Sequence, residues 1–187
     1  MSLRRIVITG EPVLHQRAQE VGEINDEIKN LVADMYETME KAPGVGLAAT
    51  QVGVGLRIFV FDWHDGATHH RGVAINPKLE LSQVSSDWPD EDTESEGCLS
   101  IPGERYPLKR ADQATLTALD LDGSEYSISA TGWLARIFQH EYDHLDGILY
   151  ADRLLKPYAR EVKKTIKYEG WGEPGNSWMP GEDFLEP

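Results

Sequence analysis

Residues Gln139–Gly147, QHEYDHLDG, set two histidines four positions apart with a glutamate beside the first. At about 3.6 residues per turn, a helix carries positions four apart onto one face, so His140 and His144 can then aim at a single point. The apolar residues around them agree, because Leu134, Ile137, Phe138, Leu145 and Ile148 give TGWLARIFQHEYDHLDG a buried side. Thr131 is placed to cap the start of this helix with its hydroxyl, and Gly147 to end it. Glu141 lies about a quarter turn from His140, close enough to take a proton from water at an ion without being a ligand. A helix with two solvated histidines would show the same five-residue pattern, so a third ligand is needed.

The chain has no histidine after His144, which removes the HExxHxxGxxH arrangement. Two donors stay open. Glu161 lies downstream at about the distance that a thermolysin-like site uses. Cys98, the only cysteine, lies in Glu96-Gly97-Cys98-Leu99-Ser100 and would bind as a soft thiolate. A lone cysteine is more commonly a buried structural thiol. An acidic approach to Gly97 is poor surroundings for that role.

Elsewhere the pattern alternates between short strands and terminal helices. Glu23–Lys41 carries Ile24, Ile28, Leu31, Val32, Met35 and Met39 at helical spacing, with Asn25 or Asp26 as the cap. Pro43–Gly46 stops that helix, and Leu47–Gly53 reads as a loop of small residues. Arg57–Trp63 reads as a buried strand that returns through Asp65-Gly66 to Gly72–Asn76. Ser82–Glu96 is acidic and rich in turn residues, and is expected to be an exposed loop. Ala114–Ala130 reads as a second hairpin around Asp122-Gly123, and Arg153–Tyr168 as a last helix. Gly170–Pro187 is expected to be irregular. This order predicts an α+β fold: small antiparallel and mixed sheets packed around a central metal-binding helix, with one helix near each end. Residues 1–169 are expected to be a single catalytic domain, with 170–187 as an extension of it.

A formal charge of −14 argues against a DNA-binding surface, which needs clustered cations. No apolar run is long enough for a membrane span, and MSLRRIVITGEPVLH lacks the core of a secretion signal. With one cysteine and no possible internal disulfide, the expectation is a cytoplasmic protein.

Three separated stretches, Gly44–Gln51 (GVGLAATQ), Glu96–Ser100 (EGCLS) and Gln139–His144 (QHEYDH), resemble in order the three motifs of the peptide deformylases. Gly10–Leu14 is similar to that family's opening G-D/E-P-x-L. The resemblance spans about Ile6 to Leu155, and the tail looks like the C-terminal extensions of actinobacterial members. It implies that Cys98, His140 and His144 bind one divalent metal, Fe²⁺ in cells, with Ni²⁺, Co²⁺ or Zn²⁺ also accepted. It implies Glu141 as general acid and base, with the Gln51 side chain and the Leu99 backbone N–H meeting the reacting oxygen. Gly46 would pair with an extended substrate, Arg105 would stand near its mouth, and Glu96 would support the ligands from behind. Val45, Trp133 and Ile137 would line a methionine pocket, with core packing as the other role for Trp133. The implied activity is removal of the N-formyl group from formyl-methionyl nascent peptides, releasing formate.

Lys156, Arg160, Lys163, Lys164 and Lys167 fall on one face of the last helix. A solvated face explains them; the other reading, implied by resemblance, is transient docking on the ribosome. His15, His64, His69 and His70 show no partner pattern and read as surface or loop residues.

Overall fold

The computed structural model describes residues 2–183. Its strands are β1 (Ile6–Val7), β2 (Gly46–Ala48), β3 (Ile58–Asp65), β4 (Thr68–Leu81), β5 (Ser95–Cys98), β6 (Ile101–Pro107), β7 (Gln113–Leu119), β8 (Glu125–Thr131) and β9 (Ser177–Trp178). The α-helices are α1 (Asp26–Lys41), α2 (Gly132–Leu145), α3 (Tyr150–Arg153) and α4 (Lys156–Tyr168). The α+β class holds. Five strands form one sheet in the order β2-β3-β4-β7-β8, while β5-β6 and β1-β9 are separate pairs; every pairing within these sheets is antiparallel.

Helix α1 forms where its apolar spacing predicts. Asn25 accepts the Ile28 N–H at 3.1 Å, and Ile28, Leu31, Val32, Met35 and Met39 are buried. Helix α2 lays Leu134, Ala135, Phe138 and Leu145 against Phe59 and Phe61 of β3, with the Phe61 and Phe138 rings edge to face at 5.0 Å. Phe138 is fully buried, so its truncation to alanine should cost about 3–5 kcal/mol. Gly147 takes a left-handed φ of 76° and Ile148 N–H returns to the Asp143 carbonyl at 2.9 Å, closing the helix as expected. Buried Arg57 adds a cation there, bonding the Leu145 carbonyl at 3.1 Å and Asp146 at 2.7 Å.

Four local expectations are corrected. Thr131 stands at the start of α2, but its hydroxyl makes no capping bond. It is the last paired residue of β8, opposite Gln113, and Gly132 at φ 57° turns the strand directly into the helix. The small residues after Gly46 form β2 and a 3₁₀ turn over Ala49–Val52, all buried. The acidic segment is not a loop through Glu96, because Ser95–Cys98 pairs with β6 and buries Glu96. The tail contains a strand, with Ile6 opposite Trp178 and Val7 opposite Ser177. A two-residue strand has no periodicity of its own and forms only where a partner waits. Residues 184–187 of the tail lie outside the described residues. No described helix is long and apolar enough to cross a membrane.

Candidate active site

Cys98 ends β5, and Leu99-Ser100 turn the chain into β6. The Cys98 sulfur lies 3.4 Å from His144 Nε2, and the ligand atoms of Cys98, His140 and His144 all lie within 4.8 Å of one another. His140 Nδ1 donates to the Glu96 carboxylate at 3.0 Å, since a carboxylate can only accept. That bond fixes the ring and leaves its other nitrogen available, the arrangement typical of a metal-ligating histidine. One sulfur and two imidazole nitrogens, all buried, suit a divalent transition ion with a coordination position left over. Glu161 is exposed on α4 and stands outside this group, so the thermolysin-like alternative falls.

Behind the three donors lies an ionic network. Glu96, 3% exposed, bonds Arg110 through both carboxylate oxygens, at 2.8 and 2.9 Å, and Arg136 at 2.7 Å. Arg110 also reaches Asp143 at 2.5 Å, and Arg153 closes on Asp143 with two bonds of 2.6 Å. Burial alone would raise the Glu96 carboxyl; the Arg110 guanidinium and the bonds from Arg110 and His140 outweigh it and hold Glu96 far below the usual carboxylate range. Thus Glu96 stays anionic and keeps an N–H on His140 Nδ1. Asp143, the fifth residue of QHEYDH, carries structure here by tying α2 to Arg110 and Arg153.

Glu141 is 4% exposed and its Oε2 has no hydrogen-bond partner among the described residues. Burial pushes its carboxyl up to about 7, partly opposed by His140. Gly46 faces it so closely that any β-carbon there would overlap the carboxylate. Gln51, also buried, accepts the Ala48 N–H at 2.9 Å through Oε1. Its Nε2 therefore points to the Cys98 sulfur at 3.7 Å and the Ser100 hydroxyl at 3.4 Å.

A cleft of about 290 Å³ opens beside these groups. Val45, Gly46, Gln51, Leu99, Arg105, Trp133 and Ile137 line it, with Cys98, His140 and Glu141. His144 lies just behind, 1% exposed. Trp133 is 36% exposed on the cleft wall, not in the core. Sequence reasoning missed Trp63, whose ring lies 6.1 Å from that of Trp133, and Arg136, which covers the Trp133 ring at 5.4 Å. Trp63 was hidden inside a strand whose apolar run read simply as buried.

Among the described residues, strand β2 stands at an edge of its sheet, paired only with β3. Asp62 N–H bonds the Val45 carbonyl at 2.9 Å, and Gly46 sits opposite Phe61. In an antiparallel ladder the next residue then turns its N–H and C=O outward, so Gly46 presents both off the open edge.

The remaining histidines are more placed than expected. His64 and His69 stack across the β3–β4 hairpin at 4.0 Å, and His69 bonds Asp62 at 2.7 Å. His70 lies on β4 opposite Trp63, and His15 accepts the Gly10 N–H at 3.0 Å.

Comparison with known proteins agrees with this geometry. The family model described as polypeptide deformylase matches residues 3–160. Peptide deformylase 2 of Corynebacterium efficiens is 55% identical over 185 residues, covering 98% of this chain and 96% of that protein. The peptide deformylase of Mycolicibacterium paratuberculosis is 52% identical over 190 residues, covering 97% and 96%. Among solved structures, the Ehrlichia chaffeensis peptide deformylase in complex with actinonin matches with a TM-score of 0.78 and 36% identity, over 90% of this chain and 99% of that one. The Thermus thermophilus enzyme matches with a TM-score of 0.74 and 36% identity, over 89% and 95%. A helix-borne histidine pair joined by a strand-end cysteine, on this fold and with these relatives along nearly the whole chain, makes the sequence a member of the polypeptide deformylase family of enzymes.

Proposed function

We propose that the Cys98–His140–His144 site works with Glu141, Gln51 and Leu99 to hydrolyse the N-formyl group of formyl-methionyl nascent peptides, releasing formate. The observation that carries this assignment of roles is the convergence of three buried donor atoms beside an unpartnered buried carboxylate at one cleft. A divalent ion held by the three donors supplies Lewis-acid polarisation and makes water at the site acidic. Glu141 takes a proton from the attacking water and hands it to the amine nitrogen as the C–N bond breaks. Water is thereby divided between formate and a free N-terminus. The Gln51 amide and the Leu99 N–H stabilise the negative charge that builds on the formyl oxygen. Gly46 holds the substrate main chain by adding it to the edge of β2. Val45, Trp133 and Ile137, joined by Trp63, receive the methionine side chain, and Arg105 guards the mouth. The tight approach to Glu141 admits a hydrogen on the carbonyl carbon and excludes bulkier acyl groups.

Fe²⁺ is the ion assigned in cells, since an N,N,S donor set takes Fe²⁺, Co²⁺, Ni²⁺ or Zn²⁺ and the iron assignment follows the family resemblance. The work is placed in the cytoplasm, where nascent chains emerge. The five cations of α4 are all exposed and only Val162 of that helix is buried, which supports transient contact with ribosomal RNA. Residues 1–169 act as one catalytic domain with 170–187 as its extension, a reading supported by Trp178 lying in one buried cluster with Ile6, Met35, Met39 and Ile58.

The test pairs metal analysis after anaerobic purification with formate release from a formyl-methionyl peptide, using the acetyl analogue as control. Glu141→Gln should keep the metal and lose about 10²–10⁴ in rate. Cys98→Ala should lose stoichiometric metal. Turnover like that of the wild type in Glu141→Gln removes Glu141 from the reaction.

A further inference from the structure

Trp178 is a large aromatic residue in the Gly- and Pro-rich tail, yet it is 1% exposed. Its indole N–H donates to the carbonyl of Leu99 at 2.9 Å, a buried bond between residues 79 positions apart. The next carbonyl, of Ser100, accepts the Thr9 N–H at 2.9 Å, while the Ser100 hydroxyl faces Gln51 Nε2 at 3.4 Å. Thr9 follows β1, the strand that pairs with Trp178, and the Thr9 carbonyl accepts the Gly172 N–H at 2.9 Å. Among the described residues, the two consecutive carbonyls immediately after the ligand Cys98 are therefore held by the segment that follows β1 and by the tail.

We propose that Trp178 is a positioning residue for the reaction: its indole N–H fixes the Leu99 peptide and so aims the Leu99 N–H at the formyl oxygen. This rests on the assignment of Leu99 as a donor to that oxygen. The physical need is specific. Cys98 is restrained by its side chain, but Leu99 lies in a turn outside both β5 and β6, where a carbonyl without a partner would leave the residue's backbone free to rock. A donor that must wait for charge to develop works only if it is already aimed. The indole lies in one buried cluster with Ile6, Ile8 and Met39, and Ile6 pairs with Trp178 across the strands, so the ring is held independently of the bond it makes.

The experiment compares the holoenzyme with Trp178→Phe, which keeps an aromatic body and removes the N–H. A second variant carries benzothienylalanine at 178, matching the shape of tryptophan with sulfur in place of N–H, and covers the case in which phenylalanine packs poorly. Each is assayed for kcat and KM on a formyl-methionyl peptide and for thermal midpoint. In parallel, the zinc-loaded proteins labelled with ¹⁵N-leucine are observed by NMR with and without a peptide hydroxamate. The expected result is a fall in kcat on the order of tenfold with KM and midpoint nearly unchanged. The ligand-induced shift of the Leu99 amide should be present in the wild type and reduced in both variants. An unchanged kcat in the benzothienyl variant overturns the role of Trp178, whatever the Leu99 amide does. A Leu99 amide that ignores the ligand in the wild type overturns the assignment of Leu99 itself, a separate failure. Loss of kcat in proportion to a fallen midpoint, in both variants, reduces Trp178 to packing alone and also defeats the proposal.

Discussion

Gly46 and Glu141 meet so closely that the glycine's missing side chain is the space in which the carboxylate lies. The backbone at Gly46 is ordinary extended strand, so the demand for glycine comes from proximity and not from φ. Gly46→Ala should displace the Glu141 carboxylate, lowering the rate of formate release by about 10² or more with metal content unchanged. Parallel metal analysis and turnover measurements check this, and a fully active Gly46→Ala enzyme would show that the carboxylate can move at no cost.

Glu96 anchors His140 and two buried arginines at once. Glu96→Gln leaves Arg110 and Arg136 short of a counter-charge, and breaking a buried pair of this kind costs about 3–5 kcal/mol. Metal affinity should fall about 10–100-fold, because His140 loses the acceptor that orients it. Chelator competition measures the second effect and urea unfolding the first.

The same carboxylate carries a pH dependence of known sign. Its folded pKa is depressed below the usual 4.5, so its stabilisation is fully present above that value and is lost as pH falls toward the folded pKa. In metal-free protein, the advantage of wild type over Glu96→Gln should shrink as pH falls from about 5 downward. Urea midpoints for both proteins across that range give the comparison; an advantage that grows on acidification contradicts the network described.

Glu161 stands on the exposed side of α4, outside the donor cluster. Glu161→Ala should retain full metal and stability within about 0.5 kcal/mol. Loss of the ion in this variant would move the metal site to another ligand set.

Reversing charge at Lys163, Lys164 and Lys167 together should leave formyl-peptide turnover intact while removing salt-sensitive co-sedimentation with ribosomes. Co-sedimentation of the wild type that ignores salt, or is absent, would leave those lysines as a solvated face.

The legible parts of this molecule were those with a local rule behind them. The His140/His144 helix and α1 follow from periodicity, and Gly147 closes its helix because only a left-handed turn fits there. The β3–β4 hairpin announced itself, although β4 runs on to Leu81, well past the segment the alternation marked. Cys98 was legible only as one of two donors until motif order singled it out. What stayed hidden depends on distant partners. Glu96 ends an acidic run whose composition says solvent, yet Arg110 and Arg136 draw it inside. Trp178 sits in a tail rich in Gly and Pro, and nothing near it in sequence reveals that Leu99 accepts its N–H. Trp63 looked like one more buried strand residue; its cleft-facing position comes from Trp133, on another element.

The open rim of β2 has a consequence for how widely such a catalyst can serve. In the proposed function, what Gly46 offers a newly made chain is only amide groups, which every protein possesses in the same spacing. Recognition of that kind is blind to the message being translated, so a single small enzyme can process the beginnings of a whole proteome.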